Sequence, residues 1–256
     1  MTLAELLTLL RESILNDRSD RVEGASDFLW SDDTLITYIN EAQRRFAVRG
    51  LILRDASTVE VTRVTLVAGK TIYPLHDSVL AVMSAKREDC DADITRVGHP
   101  VLAAYRPPTD TWIDPAGYTA LQPGAPLAFS TDEGLVDYDV DQLSQMAMRV
   151  YPTPSADQAG KHLRLRVIRK PIEPLTAAKM TATPEIPEDH HIEMLDWAAY
   201  LALRIVDNDA GSPKRAAEFA ASFTDHVAQA RKTAMRKLFA PAGWGFGRGG
   251  YSWSND

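Results

Sequence analysis

The spacing of apolar residues changes twice along this chain, and this change constrains the fold more than any other feature. Near both ends, apolar residues recur every three or four positions, which is typical of amphipathic helices. From Thr58 to about Arg169 they alternate with polar residues, which is typical of strands with one buried face. The sequence therefore predicts an α+β fold: a helical bundle formed by both end segments, with an inserted small β-sandwich or barrel.

Two helices are predicted before the β region. Thr2 and Glu5 have the spacing of a capping box at the start of the first helix. Ser31 is the predicted cap of the second helix, which has acidic residues in its first turn and Gly50 as its stop. The polar residues 16–27 between them predict a loop.

The region after Thr58 contains about seven predicted strands, enough for a small sandwich or barrel. The first apolar runs, Val59–Leu66 and Ile72, are separated by Ala68-Gly69-Lys70, which predicts a hairpin turn. Six prolines in residues 88–126 predict irregular structure. The remaining strands are predicted at 79–85, 127–131, 146–151 and 162–169.

Two more helices are predicted toward the other end. One extends from about Glu188 to Asp209, and the other from Pro213 to about Phe239, because Pro241 forbids continuation. The predicted organisation is a helical bundle, first part, at 1–56, an inserted β domain at 57–172, a linker at 173–187, the second part of the bundle at 188–239, and a flexible, extended C-terminal arm at 240–256.

Composition excludes several classes of protein. Cys90 is the only cysteine, so neither an intramolecular disulfide nor a multi-thiolate zinc site can form. The net charge is −7, with 24 acidic against 14 basic residues in 1–160, which argues against avid binding to a phosphate backbone. No signal-peptide pattern and no apolar stretch of about 20 residues is present, so we expect a soluble protein that contacts no membrane.

Patterns for catalysis or metal binding are weak. The best metal candidates lack a third histidine at a ligand-like spacing, and we interpret them as an ordinary helix start: His190, His191, Glu193 and Asp196. Two acidic runs lack the glycine and glutamate of a calcium loop: Asp89, Asp91 and Asp93, and Asp137, Asp139 and Asp141. The first run surrounds Cys90 and would raise the pKa of its thiol. The sequence predicts no enzyme, no cofactor and no metal.

Residues 243–253 read Gly-Trp-Gly-Phe-Gly-Arg-Gly-Gly-Tyr-Ser-Trp. Glycine favours neither helix nor strand, so these aromatic side chains have no element of their own in which to be buried. We therefore expect them to bind a partner, since Trp, Tyr and Arg dominate interface energy. The alternatives are that the arm folds onto its own β domain or is disordered. The candidate binding residues are Trp244, Phe246, Arg248, Tyr251 and Trp253, together with a basic helix end at Arg231, Lys232, Arg236 and Lys237.

Three stretches resemble the adaptor, or gatekeeper-type, head-to-tail connector proteins of tailed phages. They are LWSDDTLITYINEAQRRFAVRG at 29–50, MAMRVYPTPSADQAGKHLRLRVIRKP at 146–171, and IPEDHHIEMLDWAAYLAL at 186–203. The resemblance implies a structural virion protein of the neck, made in the host cytoplasm. It implies a closed, twelve-fold ring under the portal protein whose C-terminal arm docks onto the portal.

The resemblance also implies that the ring contacts tail or nozzle proteins, and that double-stranded DNA passes through without specific binding. Two alternatives remain open. One is another neck protein, such as a stopper or tail completion protein. The other is a carbohydrate-binding or hydrolysing tail component, indicated by aromatic residues near two carboxylates: Tyr105, Trp112 and Tyr118, with Asp110 and Asp114.

Overall fold

The computed structural model describes residues 1–17, 28–96, 124–133, 146–204 and 213–239, with side chains described except at 132–133 and 237–239. The chain divides into two compact units. The helical unit comprises Met1–Ile52 and Glu173–Asp256, and the β unit comprises Leu53–Ile172. Helices at both ends and a curled half-barrel sheet between them confirm the predicted α+β class.

The helices begin and end largely where local sequence signals place them. Thr2 and Glu5 form the predicted capping box, and the Ser31 hydroxyl accepts the N–H of Thr34 at 3.2 Å. The predicted stop at Gly50 is displaced by one residue, because the left-handed residue that ends the second helix is Leu51, with φ of 51°. The α-helices are α1 Leu3–Leu9, α2 Asp32–Gly50, α3 Val59–Thr62, α4 His191–Leu203 and α5 Pro213–Phe239.

Short helical turns of other types extend two of these helices. A π-helical segment, Leu10–Leu15, continues α1, and a 3-10 turn, Glu188–His190, leads into α4. The predicted helix from Glu188 to Asp209 is therefore confirmed for His191–Leu203, but its predicted end is wrong, because the helix ends at Leu203 with Arg204 as its cap. The helix predicted to run from Pro213 to Phe239 is confirmed as α5.

The core of the helical unit contains an aromatic cluster between α2, α4 and α5. Phe46 of α2 meets Phe223 of α5 edge to face at 5.7 Å, and Trp197 of α4 lies 5.1 Å from Phe223. Such pairs contribute about 0.5–1.5 kcal/mol beyond their burial. Asn40 also fixes the segment before α4, because its amide both donates to and accepts from the backbone of Leu175 at 2.8 Å.

The β unit contains one sheet in the described residues, in the order β1-β8-β4-β5-β6-β7-β3, with β2 also paired to β8. Neighbouring strands are antiparallel except β5 and β6. β7 and β8 have the predicted bounds. The strands are β1 Arg54–Asp55, β2 Arg63–Thr65, β3 Ile72–Pro74, β4 Val79–Arg87, β5 Asp93–Arg96, β6 Ala128–Glu133, β7 Met146–Tyr151 and β8 His162–Arg169.

Three local predictions in the β unit are wrong. The range 88–126, predicted to be irregular, contains strand β5 at Asp93–Arg96. Ala68-Gly69-Lys70 does form a turn, with Gly69 at φ 75°, but β2 pairs with β8 and β3 with β7, so the turn joins no hairpin. The predicted strand at Val59 is the short helix α3 instead. Its start is set by Asp55, whose carboxylate accepts the backbone N–H groups of Ser57 and Thr58. This turn diverts the chain before the alternating pattern can form a strand.

One face of the sheet buries a continuous apolar core. Phe129, Met148 and Leu163, from three different strands, are all fully buried within it. On β8, buried Leu163, Leu165 and Val167 alternate with exposed Arg164 and Arg166, as the sequence pattern predicts. The opposite face of β8 therefore presents basic side chains.

Candidate functional site

Helix α5 is held against α4 by a polar contact in addition to its apolar face. The hydroxyl of Ser222 donates to the Asp196 carboxylate at 2.6 Å, and Nδ1 of His226 lies 3.2 Å from the same oxygen. This contact joins the first half of α4 to the middle of α5. The buried residues of α5 recur with helical spacing, at Ala216, Phe223, Val227 and Ala230.

The last turns of α5 follow Ala230, which is the last of these buried residues. Beyond it, the side chains of 231–236 are exposed or half-buried.

These final turns carry the basic end that the sequence predicts, which consists of Arg231, Lys232, Arg236 and Lys237. Arg231, Lys232 and Arg236 are exposed, and within the described residues none of the three has a carboxylate partner. No acidic residue occurs in the sequence 229–239. The position is intrinsically favourable for cations because the C-terminal end of a helix carries partial negative charge. The structure describes Lys237 only by its backbone in α5.

The predicted arm follows α5 directly in the sequence. All five of its candidate residues lie outside the residues that the structure describes: Trp244, Phe246, Arg248, Tyr251 and Trp253. The described part of the site is therefore the helix end from which the arm continues.

A second cationic cluster on the helical unit was not predicted. The guanidinium groups of Arg45 and Arg49 lie 4.4 and 5.5 Å from the ring centroid of Trp197. The carboxylate of Glu41 accepts from both Arg44 and Arg45, and the hydrogen bond from Arg44 is the main cause of its lowered pKa. The sequence shows a basic late turn in α2, but no local signal assigns its aromatic partner on α4, because that contact spans about 150 residues.

The candidate metal residues do not converge. His190 bonds to Glu193 at 2.7 Å, whereas His191 is buried and donates through Nε2 to the carbonyl of Ile186 at 2.9 Å. Burial lowers the pKa of His191. Asp196 is engaged by α5 instead, as described above. In the part of the chain that the structure covers, no three His, Cys, Asp or Glu side chains are placed to hold a metal ion.

The first acidic run is paired with bases rather than gathered into a site. Asp89 accepts from Arg87 at 2.8 Å and contacts Lys161 at 3.2 Å, and hydrogen bonding to Arg87 is the main cause of its lowered pKa. Cys90 beside it is exposed. The second run, at 137–141, and the aromatic and carboxylate residues at 105–118 lie outside the described residues.

The chain thus combines helices at both ends, an inserted sheet and an exposed basic helix end. A model of the SU10 adaptor protein family matches residues 1–244, so the chain belongs to that family. Membership identifies a structural adaptor of a phage virion, and it implies a place at the neck and binding to portal and tail proteins.

A search of curated proteins found no match to the chain. None of the described helices combines the length and the apolar character that crossing a bilayer requires.

Proposed function

We propose that the chain is a head-to-tail adaptor that assembles as a closed ring under the portal and docks onto it through the arm and the basic end of α5. The observation that carries this proposal is the exposed run of bases on the last turns of α5, directly before the aromatic arm. Family membership supports the adaptor role.

In this proposal the predicted segments act as functional modules. The bundle segments 1–56 and 188–239 form the body that carries the β domain 57–172, with 173–187 as a linker and 240–256 as the docking arm. The ring has twelve copies, and each contact joins one patch to an unlike patch on the next copy, as ring closure requires.

The arm gains its binding energy from aromatic burial. Ordering a glycine-rich backbone costs about 1–2 kcal/mol per residue, so the arm becomes fixed only against a partner. Burial of each aromatic side chain, Trp244, Phe246, Tyr251 and Trp253, returns about 1.5–3 kcal/mol. A groove on the portal that accepts these side chains supplies the necessary contact.

The bases determine which portal surface the arm meets. The residues of the basic end and Arg248 are all positively charged, so they favour an acidic portal surface. The chain as a whole has a charge of −7, which repels the phosphate backbone. DNA therefore passes through the ring without specific binding.

Deletion of 241–256 tests this proposal. We expect the truncated chain to keep its melting temperature and to lose attachment to heads that carry the portal but lack this chain. Single changes Trp244→Ala and Trp253→Ala should weaken attachment most among the arm residues, because they remove the largest side chains.

Two outcomes would contradict the docking role. A truncated chain that joins heads at normal occupancy would show that the arm is dispensable. A truncated chain that unfolds would show that the arm belongs to the core of its own subunit.

A further inference from the structure

Three basic residues lie directly opposite one another on the outward face of the sheet. In the strand register, Arg63 of β2 is opposite Arg164 of β8, and Arg164 is opposite Lys86 of β4. Like charges on directly opposed residues destabilise a sheet. This row is therefore unfavourable for the isolated fold unless nearby acids compensate it.

The nearby acids compensate this row only in part. The carboxylate of Glu88 is shared by Arg63, at 2.7 Å, and Arg164, at 3.5 Å. Lys86 contacts Asp91 at 3.5 Å and Asp93 at 3.7 Å. Arg164 remains 61% exposed, so one of its guanidinium edges is open to another partner.

One further base extends the row on the same face. Arg87 does not, because it lies opposite buried Leu163, so its ion pair with Asp89 belongs to the other face of the sheet. Arg166 lies two positions beyond Arg164 on the same face of β8, is exposed, and has no carboxylate partner within the described residues. Together these seven residues carry four bases and three acids, and we name them the sheet patch: Arg63, Lys86, Glu88, Asp91, Asp93, Arg164 and Arg166.

We propose that the sheet patch receives an acidic surface of a second copy of this chain, as one side of the contact between neighbouring subunits. This inference rests on the proposed ring, which needs two unlike surfaces on each copy. The patch has a charge of +1, while the rest of the chain has 24 bases against 32 acids. The chain itself therefore supplies the complementary charge.

The composition of the patch favours a protein partner over DNA. Three carboxylates lie among its bases, and they repel a continuous row of phosphates. Discrete carboxylates on a protein can instead meet individual guanidinium groups, which bind them through two parallel hydrogen bonds. Arg164 and Arg166 are the residues best placed to do so, because they are exposed and lie on one face of the same strand.

The repulsion within this row distinguishes a role in assembly from a role in the fold, because the two roles predict different effects on stability. Residues retained for assembly at a cost to the fold can be replaced without loss of stability. Arg164→Gln relieves the repulsion with Arg63 and Lys86, so it should leave the melting temperature unchanged or slightly raised while it weakens assembly.

The test uses Arg164→Glu/Arg166→Glu in the full chain, with Lys179→Glu/Lys214→Glu as a control of equal charge change on exposed residues of the helical unit. Copies per head are counted on heads that carry the portal but lack this chain. We expect the patch variant to bind with roughly tenfold lower apparent affinity and to form incomplete rings. The control should form complete rings. A patch variant that forms complete rings at normal affinity would overturn the inference and leave the adaptor function standing.

A mixture of wild-type and patch-variant chains identifies the partner. A variant subunit keeps its acidic surface but cannot receive the next copy, so the mixture should yield incomplete rings even with wild-type chain in excess. Unimpaired wild-type rings that exclude the variant would assign the patch to the portal and overturn the proposal. Salt-dependent binding of duplex DNA by the wild-type chain, lost in the variant, would overturn it as well.

Discussion

The last turns of α5 and the outward face of the sheet are both basic, yet they are built differently. On α5, Arg231, Lys232 and Arg236 have no carboxylate partner within the described residues. On the sheet, Arg63 and Arg164 share the carboxylate of Glu88, and Lys86 contacts Asp91 and Asp93. One region is thus an uncompensated array of cations, and the other is a partly neutralised pattern of both signs.

This difference teaches what each region can recognise. An array of one sign attracts any acidic surface, acts over about a Debye length and is weakened by salt. A pattern of both signs demands a partner whose charges match its geometry. The helix end therefore suits the capture of an acidic portal surface, and the sheet patch suits contact with one defined neighbour.

Neutralising the basic end should have the largest effect on attachment. The variant Arg231→Gln/Lys232→Gln/Arg236→Gln should bind portal-bearing heads about 100-fold more weakly, at about 1 kcal/mol per lost charge. Titration of heads with labelled chain at low and moderate salt measures this. The control Lys179→Gln/Lys214→Gln should bind normally, and the wild-type advantage should shrink as salt rises. Equal binding by both variants would contradict the distinction between the basic end of α5 and other exposed bases.

Stability of the β unit should depend on a buried ion pair and not on the sheet patch. Arg169 donates to the carboxylate of Asp55 at 2.7 Å, and both side chains are largely buried. Burial alone would raise the pKa of Asp55, but hydrogen bonds from Thr58, Ser57 and Arg169 outweigh it and lower the pKa. Asp55→Asn should lower the free energy of unfolding by about 2–3 kcal/mol at pH 7.

The pH dependence of this loss has a defined sign. A carboxyl group whose pKa is lower in the folded state stabilises the fold fully above its unfolded pKa of about 4. That contribution decreases as the pH falls below about 4 and is gone only below the lowered pKa of the folded state. Denaturant unfolding at pH 7 and pH 3 should therefore show a smaller difference between wild type and Asp55→Asn at pH 3. The same difference at both values would contradict the account of Asp55.

The histidines of the helical unit should affect stability and leave attachment unchanged. His191→Ala should cost about 1–2 kcal/mol, because it removes a buried ring and its bond to the carbonyl of Ile186. The pKa of His191 is lowered by burial, so its unfolded form binds a proton more readily. Wild-type stability should consequently fall as the pH drops below about 6.5, and the stability of His191→Ala should fall less.

The variants His190→Ala and Cys90→Ser should attach to heads as the wild type does. A folded variant that lost attachment would contradict the expectation that these side chains have no catalytic or metal-binding role.

Glu88→Gln should have the smallest effect on stability and on ring formation. It is also the most direct test of the difference between the basic end of α5 and the sheet patch. The change removes a surface carboxylate shared by Arg63 and Arg164, so it should alter stability by less than about 1 kcal/mol. It also brings the sheet patch closer to the uncompensated charge of α5. Ring formation should persist or tighten, and a clear loss of ring formation would show that Glu88 itself contacts the neighbour.

The sequence predicts most features that depend on neighbouring residues. The capping box at Thr2, the cap at Ser31 and the bounds of β7 and β8 are confirmed, because caps and alternation are local properties. The basic end of α5 is likewise predicted, since it follows from composition and the helix stop at Pro241.

Features that depend on distant residues could not be predicted. The pairing of β2 with β8 spans about 100 residues, and a turn at Gly69 cannot reveal it. The stacking of Arg45 on Trp197 and the sharing of Glu88 between two strands arise only after tertiary packing. Helix α3 replaced a predicted strand because Asp55 formed a turn that the alternating pattern did not show.

Native mass measurement of the chain with and without portal tests the central claim most directly. The account predicts that the portal complex contains a closed ring of this chain, with twelve copies, and that removal of 241–256 abolishes the complex. A chain that forms only two-fold dimers, or that leaves the mass of the portal assembly unchanged, would contradict the account.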